Sequence, residues 1–155
     1  MKTLGIDLGT LKCGWAILES NKDKYRIVAS GVIKGSAKDS LSERLRNLFE
    51  RLKSVILRYK VDAISVEETF LGNNVRTAFS LGQARGVVLL LSSIYKVPVY
   101  FYSALQIKKA VTGYGRASKE QLLKFLKFYF PEEDFKSFDL TDAIASAICH
   151  LNSIR

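Results

Sequence analysis

Cysteine and proline are scarce in this sequence, and neither is clustered. The two cysteines, Cys13 and Cys149, stand alone, without the paired spacing of a zinc site or a disulfide framework. We therefore expect both to be reduced thiols in a core. The two prolines and ten glycines form no linker-like stretch, so the sequence predicts a single domain over residues 1–155.

Long apolar runs are also missing. Residues 1–7 lack the basic region, the apolar run and the cleavage site of a secretory signal. The most apolar stretch, residues 87–91, is far shorter than the about 20 residues that a membrane span requires. We therefore expect a cytoplasmic protein with no membrane partner.

Acidic residues are the minority among the charged ones. The sequence has 24 Lys and Arg against 15 Asp and Glu, which gives a formal charge of +9 at pH 7. Such a surface attracts polyanions, and nucleic acid is a candidate partner. The charge alone does not distinguish nucleic acid from an acidic membrane surface.

Apolar patterning predicts five strands and five helices. The predicted strands cover residues 3–8, 14–18, 25–33, 62–67 and 97–102. The predicted helices cover residues 41–59, 75–95, 103–111, 118–129 and 140–151, and Ser40 and Asn74 are predicted N-caps of the first two. Three strands followed by alternating helices and strands predict an α/β fold, with a five-stranded mixed sheet and helices on both faces.

Four carboxylates occupy positions that suggest a shared site. Asp7 lies in an apolar first strand and Glu67 ends a buried strand, so each needs a cationic partner. Asp139 and Asp142 are three residues apart and share one face of a helix that begins there. If the two strands are neighbours, all four side chains can converge. The alternative is that each is an ordinary acid, with the last two favoured at the positive end of a helix.

A cluster of this kind has a recognisable chemistry. Several carboxylates in one pocket raise each other's pKa unless divalent cations neutralise them. Oxygen-only ligands suit Mg²⁺ or Mn²⁺ rather than zinc. Two such ions about 4 Å apart can activate a water molecule and stabilise the leaving oxygen of a phosphodiester. With the basic composition, the four acids predict hydrolysis of nucleic acid.

The segments that contain these acids resemble the RuvC family of Holliday-junction resolvases. They are Gly5-Ile6-Asp7-Leu8-Gly9-Thr10, Val66-Glu67-Glu68-Thr69-Phe70 and Asp139-Leu140-Thr141-Asp142-Ala143. A fourth segment, residues 81–86, resembles the family's central helix. The sequence departs from the family at Leu8, where proline is common, and Glu68 stands where the family varies.

The resemblance implies an RNase H-like nuclease domain that resolves four-way DNA junctions by paired symmetrical nicks in recombination and repair. It assigns Asp7, Glu67, Asp139 and Asp142 as ligands of catalytic Mg²⁺, two ions per active site, with Mn²⁺ able to substitute. It also implies a homodimer with two active sites. The branch-migration complex of RuvA and RuvB is a candidate partner.

Five further residues are candidates for DNA binding: Phe70, Arg76, Lys108, Arg116 and Lys119. By resemblance, Phe70 is a wedge that stacks at the junction centre, and Lys108 and Lys119 lie near the scissile phosphate. Arg76 and Arg116 could extend the same track along the DNA backbone. The alternatives are a Phe70 side chain packed in the core and ordinary solvated charges elsewhere.

Two features are not assigned by the sequence. Ala78, Gly82 and Gly86 recur every four residues and form a stripe of small side chains on the second helix. This stripe could be the dimer seam, or it could seat the helix on its own sheet. His150, the only histidine, is predicted to lie about 16 Å from Asp139 by helical rise, where capping of the helix end is favoured over catalysis.

Other functions are compatible with parts of the pattern. RNase H-like relatives of the YqgF group share the opening motif and act on RNA, but the Glu67 segment and residues 81–86 fit the RuvC pattern better. A non-catalytic junction-binding protein would be expected to have lost at least one of the acids. The actin and sugar-kinase type of phosphate-binding fold shares residues 5–10, but it needs two such domains to enclose a nucleotide.

Overall fold

A computed structural model of the chain describes residues 1–22, 24–68 and 74–155. The strands are β1 (Lys2–Asp7), β2 (Lys12–Asn21), β3 (Lys24–Lys34), β4 (Ala63–Glu68) and β5 (Val99–Ser103). The helices are α1 (Leu41–Tyr59), α2 (Val75–Tyr95), α3 (Ala104–Thr112), α4 (Lys119–Tyr129) and α5 (Phe138–Ser153). These elements follow the predicted order.

The strands form one mixed sheet in the order β3-β2-β1-β4-β5. β2 pairs antiparallel with both β1 and β3, whereas β4 runs parallel to β1 and β5 runs parallel to β4. The predicted five-stranded mixed sheet is confirmed. Because β1, β4 and β5 point the same way, their carboxyl ends meet at one edge of the sheet.

Alternating residues of each strand face two different cores. Leu4 and Ile6 of β1 point to the core that contains residues of α1 and α2. On the opposite face, residues of α3, α4 and α5 form a second core with Ala16 and Leu18 of β2. Helices therefore cover both faces of the sheet, as predicted. Cys13 and Cys149 are buried free thiols, one in each core.

Helix α5 lies directly against the sheet because the residues between them are small. A Cβ atom added at Gly5 would overlap the carbonyl oxygen of Ala143, and one added at Gly14 would overlap the carbonyl oxygen of Asp139. On the neighbouring strand, the Ser65 hydroxyl donates to the Ser146 carbonyl oxygen at 2.7 Å. Any larger side chain at either glycine would push the start of α5 away from β1 and β2.

Helix α5 begins two residues earlier than the prediction of residues 140–151. Ser137 is its N-cap, and the Ser137 hydroxyl accepts a hydrogen bond from the Leu140 amide at 3.4 Å. Ser40 and Asn74 cap α1 and α2 as predicted. The earlier start places both Asp139 and Asp142 inside the first turns of α5.

Helix α2 is, among the described residues, the one helix long and apolar enough to cross a membrane by length and composition. The most apolar stretch taken from the sequence, residues 87–91, therefore covers only a part of this apolar helix. Only 17% of its most apolar window is buried. Its large exposed apolar side chains are Val75, Phe79, Leu89, Leu90 and Ile94. Helix α2 thus carries an apolar face that the described part of its own chain leaves open.

His150 joins α5 to β5 in the interior. Its side chain is fully buried, its Nδ1 lies 2.8 Å from the Tyr102 hydroxyl, and the Tyr100 ring stacks on it at 4.3 Å between centroids. Burial lowers the pKa of His150, which favours the neutral ring. The prediction of a capping role was wrong, because the ring contacts tyrosines of the sheet instead of the last carbonyl groups of the helix.

Candidate active site

Asp7 and Glu67 are brought side by side by the pairing of β1 with β4. These parallel strands are in register from Thr3 opposite Ala63 to Ile6 opposite Val66. The next position along both strands holds the two acids. Because side chains alternate along a strand, both acids point to the face that α5 covers.

Helix α5 supplies the other two acids. Its N-cap is Ser137, so Asp139 does not serve as the cap. Gly14 of β2 allows the Asp139 backbone to lie against the strand, next to Asp7 in the paired strand β1. Asp142 lies less than one turn further along α5, on the side of Asp7 and Glu67. The predicted convergence of the four acids therefore has a structural basis in one strand pair and one closely seated helix.

The acids perturb each other strongly. Burial, the Asp142 charge and the Asp139 side chain raise the pKa of Asp7 to about 8, with a smaller contribution from Glu67. Burial and the Asp142 charge also raise the pKa of Glu67, and burial followed by the Asp139 charge raises the pKa of Asp142. A site in which three carboxyl groups resist ionisation is one that gains from a nearby cation.

Two lysines oppose this repulsion. The positive charges of Lys108 on α3 and Lys119 on α4 act to lower the pKa values of Glu67 and Asp142. Both lysines line the same pocket as Asp7, Glu67 and Asp142, which has a volume of about 300 Å³. The structure thus places both sequence-predicted lysines beside the acids.

The donor set suits a hard divalent cation. The acids offer only oxygen atoms, and Mg²⁺ and Mn²⁺ prefer such ligands. Within the described ranges, no group of three or more His, Cys, Asp or Glu side chains already has the spacing of a metal site. The fit to a metal therefore rests on the type of ligand and on the mutually raised pKa values.

Glu68 faces away from this pocket. Its Oε1 lies 3.4 Å from Nη1 of Arg85 on α2, and the Arg85 guanidinium lies 3.8 Å from the centroid of the Phe101 ring. The alternation along β4 explains the difference, since adjacent residues of a strand point to opposite faces. Glu68 is therefore an ion-pair partner of α2, separate from the four acids.

The remaining predicted DNA-binding residues lie in three different settings. Arg116 is exposed in the loop between α3 and α4. Arg76 lines a different cleft from the one that holds Lys108 and Lys119, so the structure does not bring it into their track. Phe70 lies outside the described residues.

Gly14 is a site residue that the sequence analysis did not single out. Its role is to let the backbone of Asp139 approach β2. In sequence, Gly14 looks like an ordinary first residue of the predicted strand over residues 14–18. The role of Gly14 follows from its contact with α5. Local sequence patterns do not contain this contact.

The chain is similar to proteins of one family over nearly all of its length. The family model described as crossover junction endodeoxyribonuclease RuvC matches residues 3–150. The crossover junction endodeoxyribonuclease RuvC of Roseiflexus sp. (strain RS-1) is 42% identical over 154 residues, which covers 96% of this chain and 89% of that protein. The protein with the same description from Petrotoga mobilis (strain DSM 10674 / SJ95) is 42% identical and covers 98% of this chain and 94% of its own length.

The fold of this chain is also similar to that of a solved RuvC structure. The structure described as T. thermophilus RuvC in complex with Holliday junction substrate has a TM-score of 0.95 and 30% sequence identity. The match covers 100% of this chain and 95% of that chain, and it confirms the RNase H-like fold. The chain therefore belongs to the RuvC family of crossover junction endodeoxyribonucleases.

Proposed function

We propose that this chain is a single nuclease domain, residues 1–155, that resolves four-way DNA junctions by paired symmetrical nicks in recombination and repair. The observation that carries the proposal is the pocket at the carboxyl edge of β1 and β4. There Asp7, Glu67 and Asp142 share one cavity with two lysines. The net charge of +9 supports a polyanionic substrate, and a relative of similar structure is described as bound to a Holliday junction.

We propose that Asp7, Glu67, Asp139 and Asp142 hold Mg²⁺, with Mn²⁺ able to substitute, and that each active site takes two ions. The raised pKa values of Asp7, Glu67 and Asp142 support this proposal, because a divalent cation would relieve the repulsion between the carboxylates. When bound, such ions supply an activated water molecule and stabilise the leaving oxygen.

The other residues of the pocket orient the DNA. We propose that Lys108 and Lys119 bind the scissile phosphate by charge-assisted hydrogen bonds. The apolar side chains of Ile107 and Leu122, which line the same pocket, form a wall that limits the positions open to the phosphate. Arg116, on its exposed loop, is placed to contact the backbone outside the pocket, and Phe70 is proposed as the wedge at the junction centre by resemblance alone.

We also propose that the chain acts as a homodimer through the exposed face of α2. A Cβ atom added at Gly82 or Gly86 would meet nothing within 4 Å, so the glycine stripe does not seat α2 on its own sheet. Leu89 and Leu90, which are 45% and 53% exposed, lie on the same side of the helix. Small residues flanked by large apolar ones allow a second helix to approach closely.

A second copy of the chain fits this face better than lipid does. Arg76 and Arg85 both lie within α2, and two guanidinium groups along one helix are costly in a bilayer. Arg85 is moreover engaged with Glu68 and Phe101 of its own chain. We therefore propose that the protein is cytoplasmic. By resemblance to the family, the complex of RuvA and RuvB is a candidate partner.

Leu90→Glu is expected to convert the dimer into monomers. A charge placed in an apolar seam would have to be buried without a partner, which costs several kcal/mol and weakens association by about 1,000-fold or more. Light scattering coupled to size exclusion should give about twice the chain mass of 17.4 kDa for the wild type and the single mass for the variant.

Leu57→Glu is the matched control for that measurement. Leu57 is equally exposed, at 53%, but lies on α1. It should leave the dimer intact. A wild-type chain that is monomeric at micromolar concentration, or a dimeric Leu90→Glu variant, would refute the seam.

The proposed function is tested by nicking of a synthetic four-way DNA junction in Mg²⁺, with the matched linear duplex and a structured RNA as parallel substrates. Paired nicks at symmetrical positions in the junction alone are expected. Cleavage of the RNA instead would favour the YqgF-like alternative. Tight binding of the junction without nicking in Mg²⁺ or Mn²⁺ would favour a non-catalytic junction-binding protein.

A further inference from the structure

A second cleft opens beside the active-site pocket. It lies between residues 9–12, the start of α1 and the first half of α2, and it has a volume of about 700 Å³. Three of its lining residues are cationic, namely Lys12, Arg44 and Arg76, and no Asp or Glu lines it. All the charged side chains that line the cleft are therefore cationic, and they stand among apolar ones such as Leu11 and Phe79.

These cations are available to a ligand. Lys12 and Arg76 are exposed, and none of the three cations forms an ion pair with any carboxylate in the described ranges. Arg44 donates from Nη1 to the Asp39 carbonyl oxygen at 2.9 Å, while its buried Nε has no hydrogen-bond partner in the described part of the chain. Because the unpaired Nε is buried, the Arg44 donors that an anion can reach are on its terminal nitrogens.

Some of the neutral residues of the cleft add polar groups of the kind that contact the DNA backbone. Thr10, Thr77 and Ser80 supply hydroxyl groups, and Gln83 supplies a side-chain amide. Hydroxyls and amides beside lysine and arginine are the groups that contact DNA phosphates in general. A small anion would occupy only a fraction of a cleft of this size, so an extended chain of phosphates is the ligand that matches it.

The cleft adjoins the active-site pocket. Leu81 lines both cavities, and the loop that leaves Asp7 runs along the boundary, with Leu8 in one cavity and Gly9 in the other. Thr10 lies three positions beyond Asp7, so the second cleft begins within about 11 Å of the end of β1. At about 3.4 Å of helix axis per phosphate on one strand, this distance corresponds to about three phosphates.

We propose that the cleft formed by Lys12, Arg44 and Arg76 binds the sugar–phosphate backbone of a junction arm, about three phosphates from the scissile one. The inference rests on the proposed function, since it assumes that DNA occupies the neighbouring pocket. It separates the DNA contacts into two tracks. On one side of Leu81, Lys108 and Lys119 bind the scissile phosphate. On the other side of Leu81, the second cleft binds the backbone of the junction arm.

The test is the salt dependence of binding to a four-way junction with 20-base-pair arms, measured by fluorescence anisotropy in Ca²⁺. The double variant Lys12→Ala/Arg76→Ala removes two exposed cations, so its folding is not at risk. It should bind about tenfold more weakly near 0.1 M salt, and the slope of log affinity against log salt should fall by about 1.8, or about 0.9 for each lost phosphate contact.

The control is Lys24→Ala/Lys127→Ala, which removes the same charge from exposed positions away from the cleft. Lys24 starts β3, at the opposite end of the sheet from Asp7. This control should keep the wild-type slope. The inference is overturned if both double variants bind with the same slope while the wild type binds the junction normally. If the wild type itself fails to bind the junction, the proposed function fails too, and the two outcomes are therefore distinguishable.

Discussion

Asp7→Asn is expected to reduce junction nicking in Mg²⁺ by at least about 1,000-fold, equivalent to about 4 kcal/mol of lost transition-state stabilisation. The amide keeps the size of the side chain but removes the negative charge that would attract the ions. Asp7 is the most central of the acids, since the charges of Asp142, Asp139 and Glu67 all raise its pKa. Its replacement should therefore disturb the site more than the loss of any other acid.

The measurement is single-turnover nicking with protein in excess over the junction, so that binding does not limit the rate. Glu68→Gln is the matched control, because it removes a carboxylate from the same sheet edge but from the face that contacts Arg85. It should retain activity within a few-fold. Nicking by Asp7→Asn at a rate close to that of the wild type would show that Asp7 is not a catalytic ligand.

Gly5→Ala is expected to lower the free energy of unfolding by about 3 kcal/mol or more. The new methyl group would overlap the Ala143 carbonyl oxygen and approach the Ala147 nitrogen at 2.9 Å. Both are backbone atoms of a helix, which cannot rotate out of the way as a long side chain can. Either α5 moves off the sheet or β1 bends, and each response loses buried contacts.

Urea unfolding followed by circular dichroism gives the change directly. Ser30→Ala, an exposed substitution on β3, should change stability by no more than about 0.5 kcal/mol. If Gly5→Ala unfolds at the same urea concentration as this control, the close seating of α5 on β1 is incorrect. Any folded Gly5→Ala protein should also nick junctions slowly, because Asp139 and Asp142 move with the helix.

The elements of the fold could be predicted because their signals are local. Apolar periodicity and the caps Ser40 and Asn74 define α1 and α2 correctly. The start of α5 was wrong by two residues because Ser137 was not identified as a cap. Convergence of Asp7 with Glu67 could only be stated as a condition, since the sequence contains no evidence that β1 and β4 are neighbours.

The features that the sequence did not predict depend on contacts between residues far apart in the chain. Arg76 and Lys108 were both predicted DNA-binding cations on helices, yet the fold places them in separate cavities. His150 looked like a helix-end residue because the tyrosines that enclose it come from β5, far away in the chain. Gly82 and Gly86 illustrate the same limit of sequence analysis. A stripe of small residues does not indicate whether it packs against its own sheet or against a second copy of the chain.

If the four acids are catalytic as proposed, the seating of α5 on the sheet makes catalysis depend on the whole fold. Two acids come from strands that lie early in the chain, and two come from the helix that lies last among the described elements. A chain that has formed its sheet but has not yet docked α5 would have only half of the proposed site, and we expect it not to cut DNA. Under the same proposal, a local opening of α5 is expected to abolish nicking while the strands keep their pairing, so that activity would be lost before the sheet unfolds.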